Sequence, residues 1–149
     1  MLTYARLAKE YSNFVAKAPD GFLLYCKKKG GVSAPNTCAV RLAYSILLCD
    51  KTFFEGVKAK TEWYGLPTVA SQLAVVLNKK LKVAERVTQS QVEKKTGIIF
   101  FDTIHGYTPS GTAAGSGHIS LWDGTGVVDM HQAPRHYFSK SPRAYFWDI

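Results

Sequence analysis

The chain has 149 residues, 46% of them hydrophobic and 20% charged, and lysine plus arginine exceeds aspartate plus glutamate by eight (19 − 11). That length suits a single domain, 1–149, able to bury a core without a metal or a disulfide framework, and the composition excludes a disordered polar chain. The longest apolar runs, residues 74–77 and 98–101, are far too short to cross a bilayer, so no membrane partner is expected. The positive balance favours an anionic partner. Its bases are scattered in short clusters (Lys27 to Lys29, Lys79-Lys80-Lys82, Lys94-Lys95), however, and solvated positive faces explain each of them as well. The first ten residues contain no continuous apolar segment, so no ordinary secretory signal is expected, and work outside the cell would need another route.

In chain order, residues 3–16 predict an amphipathic helix with Leu7, Tyr11 and Phe14 or Val15 on one face, ended by Pro19-Asp20-Gly21. After a short apolar run (Phe22 to Tyr25) and a loop over residues 30–36, Asn36 or Thr37 is suited to cap a helix over 37–48. In that helix Ala39, Leu42, Ala43, Ile46 and Leu47 form a continuous apolar stripe. Cys38 falls in its first turn, where free backbone N–H groups and the positive end of the helix dipole favour thiolate over thiol. Cys49, at the far end, lacks that advantage and reads as structural; a Cys26–Cys49 bridge is conceivable. The three cysteines have no zinc-type spacing.

Pro67 suits the first turn of a further helix whose apolar face carries Val69, Leu73, Val76, Leu77 and Leu81. Residues 82–96 are polar and basic and read as a helix end and connection. Residues 97–101 form a near-continuous apolar strand, covered on both faces. The glycine-rich stretch 102–117 reads as a functional loop, the wall of a substrate cleft, and it leads into His118. Residues 144–149 read as a terminal strand.

Between these last two, residues 117–130 carry an Asp123-Gly124 pair flanked by alternating apolar residues, a strong hairpin signal. With Asp123-Gly124 as a two-residue turn, Trp122 faces Thr125, Ser120 faces Val127 and His118 lies opposite Asp129. Directly opposed residues hold their Cβ atoms roughly 4.5–5.5 Å apart, close enough for the carboxylate to fix the imidazole's tautomer and support its charge. Ile119, Leu121 and Val128 then share one face, and His118, Ser120, Trp122, Val127 and Asp129 the other. A helix carrying Cys38 on this second face would bring thiolate and imidazole together, with other structure covering the first. A helix-borne cysteine followed much later by a strand-borne histidine and an orienting residue is the papain-like layout.

The segments Asn36-Thr37-Cys38-Ala39-Val40-Arg41-Leu42 and Gly117-His118-Ile119-Ser120-Leu121-Trp122-Asp123-Gly124 resemble the fourth family of type VI secretion amidase effectors, which are papain-like, NlpC-type peptidoglycan hydrolases. The resemblance extends over most of the chain. It implies an α+β fold in which N-terminal helices pack on an antiparallel sheet covered on both faces. It also implies Cys38 as nucleophile, His118 as general base and acid, and Asp129 as the residue orienting the imidazole. Ser120 departs from the family pattern, which usually has an acidic residue there. The implied reaction is hydrolysis of an amide in peptidoglycan stem peptides, between D-glutamate and diaminopimelate, with backbone N–H groups at the start of the Cys38 helix stabilising the oxyanion. No metal and no cofactor is implied. The implied partners are stem peptides, a cognate immunity protein that plugs the cleft, and type VI secretion components, with no nucleic acid. The implied route is synthesis in the cytoplasm and delivery into the periplasm of target bacteria.

Three rival readings use the same residues. A basic toxin nuclease would employ His118, Asp129, His131 and His105, but the chain has no metal-nuclease or phosphate-loop motif. A zinc site from Cys38, His118 and His131 would need strand alternation to converge where it diverges. A non-catalytic wall-binding module would have no use for a cysteine at a helix N-terminus.

Overall fold

The computed structural model describes residues 1–17, 37–58, 62–63, 65–104, 117–130 and 132–149. The expectations for Phe22 to Tyr25, for Cys26 and hence its bridge to Cys49, for His105 and most of the glycine-rich loop, and for His131 lie outside the described residues.

Helix α1 (Tyr4–Lys17) forms where the amphipathic pattern predicts it and buries Leu7 and Tyr11. Helix α2 (Cys38–Cys49) is buried on nearly every side, as its high apolar content requires, and packs against α1. A two-stranded ribbon, β1 (Glu62–Trp63) with β2 (Leu66–Pro67), precedes α3 (Ala70–Lys80). Pro67 is therefore the end of a strand and not the first turn of a helix: the chain stays extended through Val69 and the helix starts at Ala70.

The main sheet has four antiparallel strands in the order β3 (Glu85–Val87), β6 (Arg143–Asp148), β4 (Gly97–Asp102), β5 (His118–Trp122). Strand β3 and the single-turn helix α4 (Gln89–Val92) occupy the stretch expected to be a helix end and connection. Glu85 and Arg86 are exposed and Val87 half-buried, so the edge strand has no apolar alternation to announce it. Gly97 is required at the start of β4 because a Cβ there would come within 2.2 Å of the Trp147 carbonyl oxygen.

The sheet is buried on both faces, as expected. On one face Ile98, Phe100, Ile119, Leu121 and Trp147 join the apolar residues of α1, α2 and α3. On the other, Ile99, Phe101, Trp122, Val127, Ala144 and Phe146 pack with Val92 of α4 and with Tyr137 and Phe138 from the segment before β6. The architecture is thus α+β, with α1, α2 and α3 stacked on one side of an antiparallel sheet and the short α4 on the other.

The hairpin expectation is corrected in two respects. Asp123 does not take a left-handed conformation; among this pair only Gly124 does, at φ +97°. The Asp123 carboxylate instead accepts hydrogen bonds from Thr125 N (2.9 Å), Thr125 Oγ1 (2.8 Å) and Gly126 N (3.0 Å), an arrangement typical of Asx turns. These bonds lengthen the turn, so Trp122 lies opposite Val127 and not Thr125, and residues 128–130 leave the ladder. Continued along the strand, that register puts Asp129 level with Ser120 and not with His118. The second correction concerns the helix: α2 packs on the face of Ile119 and Leu121, not on the opposite one.

Candidate active site

The cysteine and the histidine meet despite the exchange of faces, because β5 is an edge strand among the described residues and α2 packs against it. Cys38, the first residue of α2, comes against the start of the strand, where the backbone N–H of Ile119 hydrogen-bonds its sulfur and the His118 side chain lies alongside. Both side chains are buried. The Nε2 of His118 is 3.3 Å from Asp129 Oδ1, leaving the buried Nδ1 for the thiol. The Tyr137 ring meets the imidazole edge-on, with centroids 5.5 Å apart. All three residues expected to form the site therefore converge: Cys38 from a helix, His118 from a strand and Asp129 from the irregular segment after it.

Three further residues complete the constellation. Ser120 Oγ donates to Asp129 Oδ1 at 2.9 Å, which is what the corrected register makes possible. Arg41 donates from Nη2 to Asp129 Oδ2 in an ion pair with both side chains more than nine-tenths buried. Tyr11 of α1 places its hydroxyl 3.1 Å from Ser120 Oγ and its ring 5.4 Å from the Arg41 guanidinium carbon. Neither Arg41 nor Tyr11 was singled out from the sequence. One signal pointed to Arg41: it is the lone charge in an otherwise apolar and small-residue helix, one turn beyond Cys38, and a buried guanidinium needs an anionic partner.

The electrostatics of this cluster are those of a charge-separated pair. Burial pushes the Cys38 thiol up, but the neighbouring His118 charge, the Ile119 N–H and Arg41 outweigh it and leave the thiol below its ordinary value. Burial pushes His118 down, yet the Cys38 thiolate and the Asp129 carboxylate raise it to about 10. Burial would likewise raise Asp129, but His118, Arg41 and Ser120 hold it well below the usual carboxylate range. Such a cluster holds a thiolate beside an imidazolium with an ionised carboxylate behind it, as nucleophilic attack and proton delivery require. Among the described residues no group of three His, Cys, Asp or Glu side chains lies close enough to hold a metal ion.

Helices packed on an antiparallel sheet, with a thiol at a helix start facing a histidine on an edge strand, form the α+β layout that the papain-like resemblance implies. The sequence profile of the type VI secretion system (T6SS) amidase effector protein 4 family matches residues 35–147, and the chain belongs to that family. Among solved structures it is similar to the effector Tae4 from Salmonella typhimurium, crystallised with the immunity protein Tai4 from Enterobacter cloacae. The identity is 19% over 76% of this chain and 75% of that one, with a TM-score of 0.52. It is also similar to the effector in the Tae4–Tai4 complex from Enterobacter cloacae, at 21% identity over 76% of this chain and 74% of that one, with a TM-score of 0.48. At such identities the likeness is one of fold. No curated protein matches the chain.

Proposed function

We propose that this amidase effector hydrolyses an amide bond in the peptide stems of bacterial peptidoglycan, between D-glutamate and diaminopimelate, with Cys38 as nucleophile, His118 as general acid and base, and Asp129 orienting the imidazole. The observation that carries the reading is the buried contact of Cys38 with an imidazole whose far nitrogen faces an ionised carboxylate.

In this reaction the Cys38 thiolate attacks the scissile carbonyl, forming a C–S bond and moving the π electrons onto oxygen. We assign the oxyanion to backbone N–H groups at the start of α2, including that of Cys38, because the first turn of a helix offers N–H groups that its own carbonyls do not bond. The C–N bond breaks as His118 gives its proton to the leaving amine. Neutral His118 then takes a proton from water, which attacks the thioester, and the acid product leaves with Cys38 again a thiolate and His118 an imidazolium. Asp129 remains ionised throughout and holds the ring by its Nε2 edge.

The excess of eight positive charges suits a substrate rich in carboxylates. The family's secretion system supports delivery into the periplasm of target bacteria. The Salmonella and Enterobacter effectors were both solved with a Tai4 immunity protein, and we assign this chain a cognate partner of that kind, one that blocks the cleft. Mass spectrometry of peptidoglycan digested with the protein tests the reading: fragments cut between D-glutamate and diaminopimelate are expected. Cleavage at another bond would overturn the bond assignment, and intact stems the activity itself.

A further inference from the structure

We infer that Arg41 is a positioning residue for this reaction: anchored by Tyr11, it acts with Ser120 to clamp both oxygens of Asp129, so that the carboxylate stays turned toward His118. The inference rests on the reading of Asp129 as the residue that orients the imidazole.

Asp129 needs such a clamp because its backbone does little to aim it. The β-ladder stops at the Trp122–Val127 bridge, and Asp129 stands in a turn beyond it. A carboxylate on irregular backbone can rotate unless both oxygens are held. Here Oδ1 accepts from Ser120 Oγ at 2.9 Å and faces His118 Nε2 at 3.3 Å, while Oδ2 accepts from Arg41. Rotation about the carboxylate axis would break both sets of contacts at once.

Tyr11 holds both clamping groups. Ser120 has a single hydroxyl proton, which goes to Asp129, so at 3.1 Å Tyr11 must be the donor to Ser120 Oγ. Burial keeps the Tyr11 phenol protonated and fit for that role. Its ring also lies against the Arg41 guanidinium, a cation–π contact. Arg41 and Ser120 bond Asp129 directly and Tyr11 bonds Ser120, so all three act on the imidazole through Asp129. Tyr11 belongs to α1, which precedes the 35–147 segment matched by the family profile, so the N-terminal helix becomes part of the machinery. Among the described residues, the titratable or charged groups around His118 are Cys38 and Arg41 from α2, Asp129 and Tyr137 from the segment after β5, and Tyr11 from α1 through Ser120.

The test compares the full chain with Arg41→Met, Arg41→Lys, Ser120→Ala and Tyr11→Phe, measuring kcat and KM on purified peptidoglycan and following the His118 titration by NMR. Arg41→Met is expected to lose about 10²-fold in kcat, the scale of a small misplacement at a reacting centre, with KM changed by less than about twofold. Arg41→Lys should recover part of that loss, and Ser120→Ala and Tyr11→Phe should each cost about three- to tenfold in kcat. In Ser120→Ala and Tyr11→Phe, which leave every charge in place, His118 should lose its proton at lower pH than in the wild type. Wild-type kcat and an unmoved His118 titration in folded variants would make Arg41 a structural ion pair only and overturn the inference. If Arg41→Met fails to fold, Ser120→Ala and Tyr11→Phe, which each remove a single hydroxyl, decide the matter by the same readouts. Cys38→Ala, assayed alongside, separates the two levels. An inactive Cys38→Ala with indifferent clamp variants defeats the clamp alone, whereas an active one defeats the thiol reading and the clamp with it.

Discussion

Two aspartates in the stretch after β5 each pair with an arginine, and the two pairs do different work. Asp123 pairs with Arg135 at the turn, each side chain 33% exposed; Asp129 pairs with Arg41 in the interior, at 9% and 6%. Asp123 is held to about 2 despite partial burial by Arg135 and by donors of its own turn, Thr125 and Gly126. Asp129 is held low by groups from elsewhere in the chain, His118, Arg41 and Ser120. The turn pair therefore sets where the chain goes, and the buried pair sets what the residues arriving there can do. A solvated ion pair is worth little, while a buried one is costly to break because the surviving charge is left uncompensated.

Asp129→Asn should break the comparison most severely. It would leave the Arg41 guanidinium without its buried anion, destabilising the fold by roughly 3–5 kcal/mol. It would also unsettle the imidazole's tautomer and lower kcat by about 10³- to 10⁴-fold, measured on purified peptidoglycan beside chemical denaturation. At the turn, Asp123→Ala removes several hydrogen bonds and should cost roughly 1–2 kcal/mol, with kcat nearly unchanged. Arg135→Ala should cost at most about 1 kcal/mol, shrinking further as salt is added. If Asp123→Ala impaired turnover as much as Asp129→Asn, the division between the two pairs would be wrong.

The buried pair also has a pH signature. Asp129 is depressed in the folded state, so its contribution to stability is present above the ordinary carboxylate value and lost as pH falls through the depressed one. Asp129→Asn should accordingly flatten the acid limb of the stability profile, read as midpoint denaturant concentration against pH. His118 is raised to about 10, so its contribution is fully present below its ordinary value of 6.5 and lost as pH rises through about 10. In kcat/KM, activity should appear on the acid side at a pH below the ordinary thiol value, as Cys38 ionises, and fall on the alkaline side near pH 10, as His118 loses the proton it must deliver.

These pairs also mark what could be seen in the sequence. Both helices that frame the site were legible, since Leu7 with Tyr11 and Ala39 with Leu42, Ala43 and Ile46 follow helical spacing into the core. The central strand was legible as an unbroken apolar run because it is covered on both faces. Cys38, His118 and Asp129 were found together although the register behind the pairing was off. The error arose because an aspartate at a turn can bond the following N–H groups and lengthen the turn, and Asp-Gly alone does not say whether it will. Asp129 still reaches His118 because a carboxylate level with Ser120 remains within reach of the neighbouring ring. The supports of Asp129 stayed hidden for another reason. Arg41 and Tyr11 reach the cluster across 88 and 109 residues of chain, and no local pattern encodes a contact of that length.

The most direct test of the central claim is release of stem-peptide fragments from purified peptidoglycan by Cys38→Ala, quantified by mass spectrometry against the wild type and with folding verified by circular dichroism. The account predicts a folded protein that releases no fragments above background. Wild-type turnover from that variant would contradict it.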